Sequence, residues 1–364
     1  MDSVRITEGG TVLDVPAVHS SGGPGKIYDT VFFNEQMAFN RDVSVMFLRS
    51  QDRDFKVADC MTATGARAVR IANEAPNTEV VANDINIGAI PWIDNNISIN
   101  GLTNCTSSRK NLHSLLAEDV FDYIDLDPFG SPIPFLHSAI QGCKRKGILA
   151  ITATDTAPLA GAHRPKCERR YQARPMRGVM CHEVGLRILM GNIAKDLARF
   201  DRGMKPLVCF FADHYFRAYV QVVEGTQSAD ACLDQMVYLK YDNHTLDRSV
   251  SKEKDAEHFY GPVWGGRLFD GDTLNAMSSD GMADVRRCDK MLDLWRNEYD
   301  GQPFLYDLSE LASNLHVTTP RFQTVLDKMN ENGLTTRTHM SPTAFKTVLS
   351  PEEVKALFRE AAGQ

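Results

Sequence analysis

Phe55-Lys56-Val57-Ala58-Asp59-Cys60-Met61-Thr62-Ala63-Thr64-Gly65-Ala66-Arg67 begins as a short apolar run, breaks at a turn with a single glycine, and passes into a helix. Buried strand, tight turn and helix make half of a βαβ unit. The pattern then recurs. Residues 55–60 read as a strand and 65–74 as a helix, followed by a strand at 79–85 and a helix at 89–98. Further on come a strand at 121–127, a helix at 133–143, a strand at 147–154 and a long amphipathic helix at 183–200. Alternation of this kind predicts an α/β fold built on a mostly parallel, doubly wound sheet. Residues 207–212 and 217–223 read as two more strands. Too few residues join them for a parallel crossover, so they should be antiparallel. A sheet ending in a reversed hairpin is set apart from a plain dinucleotide-binding sheet.

The chain has 364 residues, 43% apolar and 24% charged. At roughly 150 residues per domain this predicts two domains with a sizeable core. Such a composition excludes disorder for most of the chain. No apolar run approaches the roughly 18 residues of a membrane span. Met1-Asp2-Ser3-Val4-Arg5 lacks the apolar core of a signal peptide, so a cytoplasmic protein is expected. The eight cysteines are scattered with no Cys-x-x-Cys pair, which predicts free thiols and no zinc site. The net charge of −7 argues against a generally basic nucleic-acid binder. Residues 160–205, however, hold eleven Lys/Arg against four acids. That segment reads either as a phosphate-attracting field or as a solvated helix face laced with ion pairs.

The first 55 residues carry a turn-rich stretch at 20–25 and a mixed segment from Val31. Near residue 227 the texture changes, with frequent aspartates and no alternation over 242–257. A boundary there predicts a catalytic domain at 1–226 and a smaller α+β domain at 227–364. In the latter, helices at 307–311 and 320–332, a turn at Gly333-Leu334 and a strand at 335–338 outline a winged-helix-like module. DNA binding and protein or RNA packing are both open uses of it.

Ligands of a doubly wound sheet bind at the carboxyl ends of its strands. The turn before Arg67 lacks G-x-G-x-x-G, so a cofactor without a diphosphate fits better, and Arg67 could hold a carboxylate. Asp84 ends the second strand, where two acceptor oxygens suit a ribose diol; a helix cap is the other use. Asn111, before Leu112, falls where a third strand end would bring a polar group to an adenine edge. Asp125-Leu126-Asp127-Pro128-Phe129-Gly130-Ser131-Pro132 is the sharpest motif. Asp127 can accept one hydrogen of an amino group, carbonyls beside Pro128 another, and Phe129 can stack a flat base. A proline-rich turn leading into the next helix is the structural alternative, but it leaves the second acid on a buried strand unexplained.

Asp127-Pro128-Phe129-Gly130 resembles the Asp/Asn-Pro-Pro-Tyr/Phe motif of amino-directed methyltransferases that use S-adenosylmethionine. More closely, the chain resembles the tRNA guanine-26 N2,N2-dimethyltransferase family. The resemblance is carried by Val31-Phe32-Phe33-Asn34, Phe39-Asn40-Arg41-Asp42, the Asp127 motif from Ile124 and Thr152-Ala153-Thr154-Asp155-Thr156-Ala157-Pro158-Leu159. It continues in His182-Glu183 with Leu186-Arg187-Ile188-Leu189, Asp213-His214-Tyr215 with Arg217, Gly261-Pro262-Val263-Trp264-Gly265-Gly266, and Thr338-His339 followed by Lys346-Thr347. It implies a class I methyltransferase fold, S-adenosylmethionine as cofactor and tRNA as partner. Arg41, Arg67, Asp84, Asn111 and Leu112 would line the cofactor site. Asp127 would be the catalytic acid group beside Pro128 and Phe129, and Phe32 would face the target base. Two departures stand out: Phe32-Phe33-Asn34-Glu35 replaces the usual Phe-Tyr-Asn-Pro, and Asn111-Leu112 replaces Asp-Ala. Some relatives carry four zinc-binding cysteines that this chain lacks, so no metal is expected. Arg169, Arg170 and Arg174 are the candidates for gripping tRNA phosphates. No membrane and no obligate protein partner is implied. Competing classes are an enzyme methylating another amino group, a non-catalytic RNA binder, and a nicotinamide dehydrogenase. The last lacks its glycine fingerprint here.

Overall fold

The computed structural model describes residues 2–22, 31–254 and 259–363. Part of the turn-rich stretch (23–25) and the end of the acidic stretch (255–257) lie outside the described residues. The chain divides into two compact units: 1–154 with 218–224 and 271–292, and 155–217 with 225–270 and 293–364. This differs from a single cut near 227. Two later segments return to the first unit, and a reading in chain order has no signal for that.

Strands β1 (Ser3–Glu8) and β2 (Thr11–Pro16) form an antiparallel hairpin. Its apolar face, Leu13 and Val15, is buried with Phe33, Ala66 and Val69. A 3-10 turn at Glu35–Met37 leads into α1 (Ala38–Arg49). The winding proper then runs β3 (Phe55–Asp59), α2 (Ala66–Glu74), β4 (Thr78–Asn83), α3 (Ile90–Ile99), β5 (Cys105–Ser108), α4 (Leu112–Glu118), β6 (Phe121–Leu126), α5 (Ile133–Gly142) and β7 (Cys143–Ala153). Two side chains of α3 satisfy the backbone of β2: Asn96 Oδ1 accepts from Asp14 N at 2.8 Å, and Asn100 Oδ1 from Val12 N at 3.1 Å. They cover an edge that would otherwise be open to pairing.

Next come α6 (Thr156–Leu159), α7 (Arg164–Tyr171), α8 (Cys181–Ala198), β8 (Arg202–Ala212) and β9 (Tyr215–Glu224). The main sheet has seven strands in the order β5-β4-β3-β6-β7-β9-β8. The pairs β4/β5, β3/β4, β3/β6 and β6/β7 are parallel. Only Asp213 and His214 separate β8 from β9, which compels the reversed hairpin the sequence predicts.

The remaining elements are α9 (Thr226–Leu233), β10 (Met236–Tyr241), β11 (Arg248–Ser251), β12 (Phe259–Trp264), α10 (Gly271–Ala276), α11 (Val285–Glu298), β13 (Tyr306–Asp307), α12 (Leu308–Leu315), α13 (Phe322–Asn330), β14 (Thr335–Arg337), β15 (Ala344–Thr347) and α14 (Pro351–Ala361). They include two small antiparallel sheets, β11-β10-β12 and β13-β15-β14. Asp307 caps α12 by accepting from Ser309 N and Glu310 N, and Ser350 with Glu353 forms a capping box on α14.

The second unit is built around buried ions. Lys346 Nζ lies 3.0 Å from Glu183 Oε1 and 2.8 Å from Glu298 Oε1. Arg187 Nε donates to Glu183 at 3.0 Å, and the amides of Phe304 and Leu305 donate to the same carboxylate. Glu298 also accepts from Thr338 Oγ1 and from the ring and backbone nitrogens of His339. Phe211 N donates to His339 Nε2, so the ring is the neutral Nδ1-protonated tautomer. Two carboxylates against two cations leave the cluster neutral, the condition for burying it.

Candidate active site

The carboxyl ends of β3, β4 and β6 converge in the first unit. Gly65 turns the chain from β3 into α2 at φ +80°; a Cβ there would stand 3.3 Å from the Ile93 backbone. Asp84 lies just past β4. Its Oδ2 accepts from Ala63 N at 2.9 Å and its Oδ1 from Asn86 N at 2.8 Å. It does not cap the following helix. It ties two strand ends together and keeps an acceptor direction on each oxygen. Asn111 caps α4, with Oδ1 accepting from His113 N, so its amide nitrogen is the group left to recognise a ligand. Leu112 is buried behind it.

Sequence reasoning missed two contributors. Asn83, buried at the end of β4, donates to the carbonyls of Cys60 and Lys110 and accepts from Ser108 Oγ and Lys110 N. That one amide fixes three strand ends relative to one another. A polar residue at the end of an apolar strand was its only signal. Ile85 and Ile87 are 63% and 65% exposed beside Asp84, an apolar surface at a polar site. Nothing in their spacing marked them.

Asp127 follows β6. Arg67 Nη2 donates to Asp127 Oδ2, while Arg67 Nη1 donates to Asn40 Oδ1 (2.7 Å) and Ser44 Oγ (2.8 Å). Arg67 Nε lies 3.5 Å from Asp125 Oδ1. The Arg67 side chain is 8% exposed and that of Asp127 17%, and among the described residues the side-chain hydrogen bond to this carboxylate falls on Oδ2 alone. The carboxylate that Arg67 meets here is Asp127 of its own chain, not a ligand's. Among the described residues Asn40 Nδ2 is buried without a hydrogen-bond partner, an orphaned donor in the same network. Pro128 is buried, whereas Phe129 is 66% exposed. Gly130, at φ +87°, closes the turn, and its N–H donates to Thr154 Oγ1 at 2.6 Å. Phe32 meets Phe129 edge to face, with ring centroids 4.9 Å apart.

Arg41 is placed differently. Its Nε and Nη2 donate to the two oxygens of Glu8 at 2.6 Å each, and Nη2 also reaches Asn34 O. Burial raises the Glu8 pKa, but Arg41 and Arg70 outweigh it and bring it down to about 2. Arg41 thus braces the N-terminal hairpin beneath Phe33, over which its guanidinium lies at 5.0 Å. Glu35, the departure from the usual proline, bonds His19 Nε2 at 2.8 Å.

The basic segment lies in the second unit, and most of its cations are engaged. Arg170 Nη1 donates to Asp155 at 2.8 Å. Arg174 lies over the rings of Phe259 and Tyr260. Arg164 pairs with Glu168, Arg199 with Asp196 and Lys205 with Asp270. Arg187 is buried. Of the three arginines expected to grip phosphates, Arg169 alone is exposed without an ion pair among the described residues; Lys166 and Arg177 are exposed in the same way. Ion pairing thus accounts for part of this segment, and Lys166, Arg169 and Arg177 stay exposed outside it.

Among the described residues, no group of three or more His, Cys, Asp or Glu is placed to hold a metal, and all eight cysteines are unbridged. No helix among them is long and apolar enough to cross a membrane.

Among the described residues nothing at these strand ends cradles a diphosphate, while Asp84 has two acceptor oxygens and Asn40 a donor to spare. The fold is that of a class I S-adenosylmethionine-dependent methyltransferase. The family model described as N2,N2-dimethylguanosine tRNA methyltransferase matches residues 17–359. The tRNA (guanine(26)-N(2))-dimethyltransferase of Pyrococcus horikoshii is 35% identical across 97% of this chain and 97% of its own. That of Pyrococcus furiosus is 37% identical across 95% and 96%. The solved structure of Trm1 from Pyrococcus horikoshii with S-adenosyl-L-methionine matches at a TM-score of 0.90 and 34% identity, over 97% of this chain and 99% of that one. The chain belongs to the N2,N2-dimethylguanosine tRNA methyltransferase family.

Proposed function

We propose that this protein transfers one and then a second methyl group from S-adenosylmethionine to the exocyclic N2 of guanosine 26 in tRNA. The observation that carries the mechanism is the asymmetry of Asp127: among the described residues Arg67 holds one carboxylate oxygen, and the other is left to accept from a substrate. The cofactor supplies a methyl already activated on a sulfonium, so metal or covalent help is unnecessary. Asp84 would accept the ribose hydroxyls, and Asn111 with Leu112 would meet the adenine. Asn40 and Arg67 would face the amino-acid end, with Arg41 bracing the wall behind. Asp127 Oδ1 accepts one N2 hydrogen and the main chain beside Pro128 the other, which orients the nitrogen lone pair. The same oxygen takes up the proton as the nitrogen becomes positive. For the second transfer a single N–H remains, and the first methyl is received beside Phe32 and Phe129.

Guanosine inside folded tRNA is stacked, and aromatic contacts of about 1–3 kcal/mol per base offset its extraction. Phe129, exposed and braced by Phe32, is suited to that. Phosphates are gripped by Arg169 with Lys166 and Arg177; Arg170 and Arg174 support their local fold. The site of action is the cytoplasm, where tRNA is found. The test is nucleoside mass spectrometry after incubation with S-adenosylmethionine and two tRNA transcripts, one with guanosine and one with adenosine at position 26. N2,N2-dimethylguanosine in the first alone supports the reading. Monomethyl product alone limits the pocket to one transfer, and the absence of methylated guanosine refutes the substrate.

A further inference from the structure

Phe32, which the proposed mechanism sets beside the target base, lies between β2 and the 3-10 turn at Glu35–Met37 rather than in a regular element. Two backbone bonds and one ion pair fasten the stretch that carries it. Ser20 N donates to Phe33 O at 3.3 Å and Glu35 N to Ser20 O at 3.1 Å, a bridge that pairs Ser20 with Asn34. Beside the bridge, His19 Nε2 lies 2.8 Å from Glu35 Oε1. The other ring nitrogen, Nδ1, meets the carbonyl of Pro16 at the end of β2. A carbonyl only accepts, so Nδ1 carries a hydrogen. A carboxylate also accepts, so Nε2 carries one as well, and the ring is an imidazolium. The same ring packs edge-on against Phe33, with centroids 5.3 Å apart. Phe33 is buried with Leu13 and Val15, while its neighbour Phe32 meets Phe129.

We propose that His19 and Glu35 are positioning residues for methyl transfer: their ion pair fixes the stretch that presents Phe32 to Phe129, and with it the seat of the target guanine. The inference deepens the proposed function and rests on its placing of the base beside these two rings. Both residues act through Phe32 and not on the reacting atoms. The tie depends on one proton. A neutral ring that keeps its Nδ1 hydrogen for Pro16 turns a lone pair toward the Glu35 carboxylate, and the two repel. Burial works against the charged ring, but the hydrogen bonds to Glu35 and Pro16 and the charge of Glu35 outweigh it and raise the His19 pKa above its ordinary value. Among the described residues Glu35 is the one titratable group acting on the ring; Arg41, which lies over Phe33, is held by Glu8. The pair is therefore intact below the raised pKa and lost as pH rises through it. Glu35→Gln removes that dependence. An amide accepts from the charged ring and donates to the neutral one, so the tie outlasts the proton.

The test is the steady-state rate of tRNA methylation at saturating S-adenosylmethionine, followed from about pH 6 to about pH 9. At the acid end, His19→Ala and Glu35→Ala should each lower kcat about two- to tenfold, with KM for tRNA and the affinity for S-adenosylmethionine within about twofold of the parent. Glu35→Gln should restore kcat there. Its rate relative to the parent should then rise with pH by a similar factor, as the parent's own ring loses its proton. A merely structural role gives no such rise. Parental kcat in both alanine variants, or a Glu35→Gln ratio that stays flat with pH, overturns the inference. The glutamine comparison is isosteric at a half-exposed side chain, so it stands even where the alanine variants misfold. Phe32→Ala separates the premise from the inference. If it leaves kcat unchanged, the placing of the base fails. If it lowers kcat while the His19 and Glu35 variants match the parent, the positioning role alone fails.

Discussion

In the proposed mechanism Asp127 is divided between two tasks, one oxygen on Arg67 and the other on the substrate amine, and an amide cannot take up the proton that the second requires. Asp127→Asn should lower kcat by about 10²- to 10⁴-fold, the usual scale for a lost proton acceptor. The affinity for S-adenosylmethionine, read by calorimetry, should stay within a few-fold. A comparable loss of cofactor affinity would show that Asp127 serves binding. The acid–Pro–Phe turn was legible in the sequence because it breaks an apolar strand with residues of distinct chemistry. The destination of Arg41 was not. Its partner Glu8 lies in a distant hairpin, and spacing along the chain does not show which carboxylate an arginine will find.

At the scale of elements, α7 and the turn after β6 yield separate expectations. Replacing Lys166, Arg169 and Arg177 together with alanine should reduce the slope of log affinity for tRNA against log salt by up to about 3, roughly one per phosphate contact. Arg170→Ala should leave that slope unchanged and lower thermal stability, because it strips Asp155 of its cation and leaves it the Tyr171 hydroxyl alone among the described residues. A slope that falls for Arg170→Ala and not for the triple variant would reverse the assignment. Thr154→Ala leaves Gly130 N–H without its acceptor, at a cost of about 1–3 kcal/mol in thermal unfolding. Because that turn carries Phe129, kcat for tRNA should fall more than cofactor affinity, and Thr154→Ser should restore it. The βαβ alternation and the closing hairpin were readable because apolar runs and connection lengths constrain them directly. The β1/β2 hairpin was not. Its strands are six residues each, and one of them is largely exposed. Helix α1 was hidden for another reason: it buries Asn40, Arg41, Asp42 and Ser44, polar residues that mask the apolar stripe.

For the whole molecule, buried carboxyls pull stability in opposite directions with pH. Burial raises Glu183, but Lys346 and Arg187 outweigh it and take it to about 2; Glu8 reaches about 2, and the hydrogen bond from His339 with the charge of Lys346 overcomes burial to lower Glu298 as well. The unfolded chain binds protons at these groups before the folded one does. Their stabilisation is complete above the ordinary carboxylate range and is lost as pH falls toward 2. Asp59 behaves oppositely. Its folded pKa near 7 lies above the ordinary value, so the folded chain holds the extra proton and stability falls as pH rises from about 4 to 7. In cofactor-free protein, Asp59→Asn should therefore gain up to a few kcal/mol over the parent at pH 8 and less at pH 5, as followed by denaturant unfolding. A gain independent of pH would place the effect in packing instead.

The ion cluster of the second unit also sets the timetable on which this protein can be made. Glu183 leaves the ribosome early with Arg187 four residues behind it, yet the lysine it shares with Glu298 is residue 346 of 364. At about 5–20 residues per second, Glu183 waits on the order of ten seconds or more for that second cation. Until then the two carboxylates have Arg187 alone between them, and burying both would leave one charge bare. The second unit must therefore mature after synthesis is almost finished, and a nascent chain stalled short of Lys346 should remain open to protease there.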